Sequence, residues 1–103
     1  MTSPTKIRAT AKDGVTEVRV LMQHEMENGR RKDEAGNIVP AWHITEIKAL
    51  HNGRVVLEGR FGTAVSKNPY LVFRFSGGAV GDKIALSWLD NQGESRSDEV
   101  EIS

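Results

Sequence analysis

Five side chains carry metal-binding donors. Met22, His24 and Met26 alternate along one segment, and His43 and His51 follow. Thioether sulfur combined with imidazole nitrogen suits a soft metal such as copper. Alternate spacing is also what sends side chains to one face of a strand. Met22 falls on the face expected to pack inward, and His24 ends the strand. Ordinary packing and a solvated His24 account for the set, so no metal site is expected.

Other chemistry finds less support. Gly77-Gly78 with Gly81 could cradle a phosphate, but the stretch precedes a strand and lacks the Lys-Ser/Thr pair of a phosphate loop. A turn is the expected role. Arg30-Arg31-Lys32 is followed at once by Asp33 and Glu34, which makes a solvated loop. Glu17, Glu46 and Glu58 sit on exposed strand faces with no apolar pocket to raise a pKa. Ser66, Ser87 and Ser95 lack a motif for nucleophile activation. No catalytic residue and no cofactor are therefore expected, and the chain is read as a non-enzyme.

Composition narrows the class further. The 103 residues suit one domain, spanning 1–103. Lys plus Arg is 14 and Asp plus Glu is 14, so the basic surplus of a nucleic-acid binder is absent. With no cysteine there is no disulfide, thiolate metal site or nucleophilic thiol. No run of 18 apolar residues exists to insert in a membrane. The residues Met1 to Lys6 lack the apolar stretch of a signal peptide, which by itself points to the cytoplasm.

The elements that must position any site are short alternating runs. Ile7, Ala9 and Ala11 face one way between Lys6 and Lys12. Asp13-Gly14 turns the chain into Val15 to His24, where Val18, Val20 and Met22 share a face. Residues 25–40 read as a long polar loop. Residues 41–51 carry Ile44, Ile47 and Leu50 at helical spacing, yet Trp42, Ile44, Thr45 and Ile47 favour a strand. Asn52-Gly53 followed by a second apolar run to Phe61 decides for a hairpin. Broken alternation at Glu46 to Lys48 predicts a bulge or an edge. A loop over 62–69, then strands at 70–76, 83–89 and 95–103, complete seven. The expected fold is all-β, an immunoglobulin-like sandwich without the cysteine pair.

One surplus remains. Tyr70, Val72, Val56, Leu21 and Leu89 fall on faces that should be wet. Either the register slips by one residue in places, or one sheet face docks on another protein.

Several blocks together resemble the SoxZ family, the small subunits of the SoxYZ sulfur-carrier complex of bacterial thiosulfate oxidation. They are Val15 to Met26, Gly29-Arg30-Arg31-Lys32-Asp33, Ile38-Val39-Pro40-Ala41, His51-Asn52-Gly53, Ala64-Val65-Ser66-Lys67-Asn68-Pro69-Tyr70, Trp88-Leu89-Asp90-Asn91-Gln92-Gly93 and Ser97-Asp98-Glu99-Val100. One departure is Glu25 after His24, where many relatives carry Pro. The resemblance implies an immunoglobulin-like sandwich that binds SoxY, whose C-terminal arm carries sulfur intermediates on a cysteine. It implies a heterodimer, with a heterotetramer as the alternative, and transient encounters with other Sox enzymes. It also implies a periplasmic location reached together with the partner, which replaces the cytoplasmic expectation.

For the partner interface the aromatic and apolar residues Tyr70, Val72, Phe61, Val65 and Pro69 are the candidates, with Trp42 and His43 beside them. Two other classes fit the residues less well: a generic binding or adhesion sandwich, and a copper- or haem-handling accessory protein.

Overall fold

The structure, a computed structural model, describes residues 4–62 and 65–103. Thr63 and Ala64, which belong to the expected second loop and to one of the quoted blocks, lie outside the described residues, as do Met1 to Ser3. Seven strands follow one another: β1 (Lys6–Lys12), β2 (Val15–Leu21), β3 (Ile44–His51), β4 (Arg54–Arg60), β5 (Tyr70–Ser76), β6 (Lys83–Asp90) and β7 (Ser95–Glu101). They form two antiparallel sheets, one ordered β1-β2-β5 and the other β4-β3-β6-β7. The all-β sandwich expected from the alternating runs is the fold observed.

Local chemistry explains the strand pairings. Asn52 and Gly53 take φ of 47° and 86°, the left-handed pair that lets a two-residue turn match the twist of its strands. Asp13 and Gly14 do the same between β1 and β2. The expected irregularity in β3 appears as two register shifts, between Ile44 and Glu46 against β6 and between Ala49 and Leu50 against β4. The second leaves Val56 as the extra residue of β4, and the bulge turns it toward the core rather than to water.

The core lies between the sheets. The first contributes Ala9, Val18 and Val20, with Met22 just past the end of β2 and Leu71, Phe73 and Phe75 packed around them. The second contributes Ile44, Ile47, Ala49, Ile84, Leu86 and Trp88, and Ile102 follows β7 into the same layer. Burying one such aliphatic side chain is worth about 1.5–3 kcal/mol. Thr16 is also fully buried on this face, and its hydroxyl donates to the carbonyl of Gly77 at 2.7 Å. Thr16→Val keeps the shape and loses that bond. It should cost about 1 kcal/mol in a denaturant titration, with an unchanged m-value.

The segment from Met22 to His43 is where the strand expectation ran too long. β2 ends at Leu21, not at His24. Met22 still donates its amide to the carbonyl of Pro69, but Met26 takes φ of 53°, and the chain leaves the sheet. Most of the loop is exposed, as its composition predicts. It is pinned at its base by paired bonds between Glu27 and Trp42, and farther out it closes on itself in a small turn in which Asp33 caps the amides of Ala35 and Asn37.

Candidate functional site

All seven interface candidates lie toward one end of the sandwich, where β2, β4 and β6 finish and β3, β5 and β7 start. The structure divides them by environment. Tyr70 is 61% exposed and Val72 43% exposed, both on the outward face of the first sheet. Phe61 and Val65 are half-buried and pack against the core, so each presents only part of its surface. Pro69 is buried beside Met22. Trp42 and His43 belong to a different assembly at the base of the long loop.

That assembly centres on Asp90, the last residue of β6. Its side chain is fully buried. Oδ2 accepts from Nε2 of His24 at 3.1 Å and from the indole Nε1 of Trp42 at 2.9 Å. Oδ1 accepts the backbone amides of Gln92 and Glu94, each at 2.9 Å. Burial alone would raise the Asp90 pKa, but the His24 and Trp42 bonds and the two amides outweigh it and hold the carboxyl below its ordinary value.

His24 is not the solvated residue expected at a strand end. Its side chain is 2% exposed, packed edge-on against Trp42 and Trp88 with ring centres 5.0 and 5.3 Å away. The amide of Met26 donates to Nδ1 at 3.1 Å, which fixes the ring proton on Nε2, facing Asp90. A buried imidazole needs partners for both nitrogens, and the carboxylate of Asp90 together with the turn at Met26 supplies them. His43 joins the same end through its backbone, bonded to the side chain and the amide of Asn91.

This end of the molecule is a clamp. It ties the long loop to the β6–β7 turn, and Asn68 extends it to the β4–β5 crossover through two bonds with the backbone of His24. The sequence reading missed Asp90 as its centre. The signal was partial: Asp90-Asn91-Gln92-Gly93 announces a turn in which an aspartate caps nearby amides, but not that its second oxygen reaches inward.

The possible soft-metal donors are not gathered here. Met22 is a core side chain, the sulfur of Met26 faces the amide of Ile44, and His51 pairs with Asp82 at the opposite end. Among the described residues no three His, Cys, Asp or Glu side chains form a cluster able to hold a metal ion. No helix is long and apolar enough to cross a membrane among the residues described.

The wet apolar residues resolve in part. Tyr70, Val72 and Leu89 are exposed, whereas Leu21 is half-buried and Val56 packs inward. The outward face of the first sheet can be read row by row from its register: Lys6, Leu21 and Tyr70; Arg8, Arg19 and Val72; Thr10, Glu17 and Arg74; Lys12, Val15 and Ser76. An apolar strip at one end thus runs into a basic field. Glu17 lies between Arg19 and Arg74, at 2.7 and 2.8 Å, and the Arg19 bond first, then that of Arg74, hold its carboxyl below the ordinary value.

Among solved structures, the hypothetical protein PH1083 from Pyrococcus horikoshii OT3 is similar in fold, with a TM-score of 0.66 at 18% sequence identity. The alignment covers 98% of this chain and 88% of that one. No curated protein matches the chain. The family model of sulphur oxidation protein SoxZ matches residues 5–101, strand β1 through the end of β7. The chain therefore belongs to the SoxZ family, and its role lies in the Sox system of sulfur oxidation.

Proposed function

We propose that this chain is the non-catalytic subunit of a SoxYZ sulfur-carrier complex. It binds a SoxY-like subunit as a heterodimer and helps present that partner's C-terminal cysteine arm to the enzymes that load, oxidise and release the bound sulfur. The working compartment is the periplasm, reached together with the partner. The observation that carries this reading is the family match across nearly the whole chain. Two features support it. The chain has no cysteine, as suits the subunit that does not carry the sulfur. Exposed apolar side chains, Tyr70 and Val72, stand on a sheet face that also carries Lys6, Arg8, Lys12, Arg19 and Arg74, as suits a docking surface.

The test is coexpression with the neighbouring genes, purification through a tag on this chain, and intact-mass measurement. The expected result is a copurifying protein with a C-terminal cysteine that bears sulfur-containing mass additions, while this chain carries none. A chain that purifies without such a partner, or that converts thiosulfate unaided, overturns the reading.

A further inference from the structure

Antiparallel ladders alternate, so that each residue turns both its amide and its carbonyl either toward its neighbour or away from it. At one end of the β2–β5 ladder Met22 donates to the carbonyl of Pro69 at 2.9 Å, and at the other Gly77 donates to Gly14 at 2.7 Å. Between them the register sets Leu71 opposite Val20, Phe73 opposite Val18 and Phe75 opposite Thr16. The odd-numbered residues of β5 therefore face β2. Tyr70, Val72, Arg74 and Ser76 turn their amides and carbonyls the other way, and no strand lies there among the described residues.

The other sheet edges are protected. Ser103 bonds to the backbone of Ala9 and Ala11 on the free side of β1. On β4 the outward side chains include Arg54, Glu58 and Arg60, and on β7 they include Glu99 and Glu101. Charges of this kind discourage strand addition. β4 exposes one apolar side chain, Val55, next to Arg54, whereas β5 leads with two large ones, Tyr70 and Val72.

The face beside this edge selects the occupant. Its strands point Lys6, Arg8, Lys12, Arg19 and Arg74 outward against the single carboxylate of Glu17. Glu17 is already paired with two of those arginines. Two copies of β5 joined edge to edge would set two such basic fields side by side, which disfavours a homodimer. A strand carrying acidic side chains between apolar ones meets both the ladder and the charge.

We propose that the open edge of β5, with the basic outer face of the first sheet beside it, is the docking surface for the partner subunit, which adds a strand bearing acidic side chains. This rests on the carrier-complex reading above and deepens it. The partner strand continues the first sheet, Tyr70 and Val72 pack against its apolar side chains, and Arg8, Arg19 and Arg74 face its carboxylates.

Amide hydrogen exchange on the purified complex tests the ladder. The amides of Tyr70, Val72 and Arg74 should exchange as slowly as that of Val18 inside the sheet, while those of Glu58 and Arg60 on the edge of β4 stay fast. Arg8→Glu, which leaves β5 untouched, should weaken association about tenfold at low salt, and the difference should fade as salt is raised. A complex that forms with fast β5 amides, or with affinity indifferent to Arg8→Glu, overturns the docking surface and leaves the carrier reading intact. Protected β5 amides in a homodimer of this chain alone would assign the edge to a second copy and overturn the proposal. Absence of any complex with the thiol-bearing partner overturns the carrier reading, and the proposal falls with it.

Discussion

Asp90→Ala should destabilise the chain by about 4 kcal/mol, because four donors lose one carboxylate and two of them are buried side-chain groups. Nε2 of His24 and Nε1 of Trp42 both point at Oδ2, beside the ring of Trp88, and the side chain of Asp90 is fully buried. His24 is held by the Met26 amide on its other nitrogen, and the backbone of Trp42 is held by its paired bonds to Glu27. The amides of Gln92 and Glu94 lie nearer the surface and recover water, so they contribute less. A domain of this size commonly has a total stability of about 5–15 kcal/mol, so the loss should lower the melting temperature by roughly 15–30 °C. Asp90→Asn should recover part of it, since the amide oxygen still serves one pair of donors while its NH2 opposes the other.

The pH dependence has a definite sign. The folded-state pKa of Asp90 lies below its unfolded value of about 3.9, so its stabilising contribution is complete above that value. The contribution is lost as pH falls through the folded pKa. The stability gap between the wild type and Asp90→Ala should therefore be widest near neutrality and narrow on acidification below about pH 4. Asp98, held low first by its bond to Arg96, adds to the acid sensitivity of both proteins equally and does not close the gap. Denaturant titrations at a series of pH values measure it. A gap that is constant with pH, or a loss of less than about 1 kcal/mol, would show that Asp90 is not the centre of the clamp.

Much of this architecture was legible because strands with one wet face advertise their period. Ile7 to Ala11, Val18 to Met22, Leu71 to Phe75 and Ile84 to Trp88 each name their inward residues two apart, and all of them pack inward. Asn52-Gly53 settled residues 41–51 against the helical spacing of Ile44, Ile47 and Leu50. The first step of that spacing has a local cause: the shift after Ile44 moves Ile47 back to the core face, after which Ala49, not Leu50, is the next core residue.

The clamp was not legible, because its members lie 18 to 66 residues apart. The pairing of His24 with Asp90 depends on which loop folds over which turn, and alternation carries no information about that. His24 sits at the end of a run, where the pattern stops predicting, and a lone imidazole there is as easily wet as buried. The interface candidates show the same boundary. Outward parity marks Tyr70 and Val72, and they do point outward. Pro69 and Trp42 are candidates by residue type alone, and their backbone and indole bonds draw them into the fold. Parity gives orientation in the unbroken strand β5 and fails at Val56, where the bulge resets it; residue type gives none.

Gly78→Ala is expected to cost about 3 kcal/mol, and the reason lies across the sandwich rather than in the turn alone. Gly78 takes φ of 89°, where a side chain adds about 1–2 kcal/mol of strain. A methyl group there would also run into Oγ1 of Thr16 and come within 3.2 Å of Cδ1 of Ile102. Thr16 can give way only by rotating its hydroxyl, which breaks its bond to the carbonyl of Gly77. The Gly-rich turn is thus shaped by the need to bring its backbone down onto β2, where the hydroxyl of Thr16 receives it. A double-mutant cycle separates the two parts. In a Thr16→Ala background the hydroxyl is already gone, so Gly78→Ala should cost only the backbone strain and the close contacts with Cδ1 of Ile102 and Cβ of residue 16. The double mutant should then lose about 1 kcal/mol less than the two single losses added together. Full additivity would place the cost of the alanine in the turn alone and leave Thr16 an ordinary core residue.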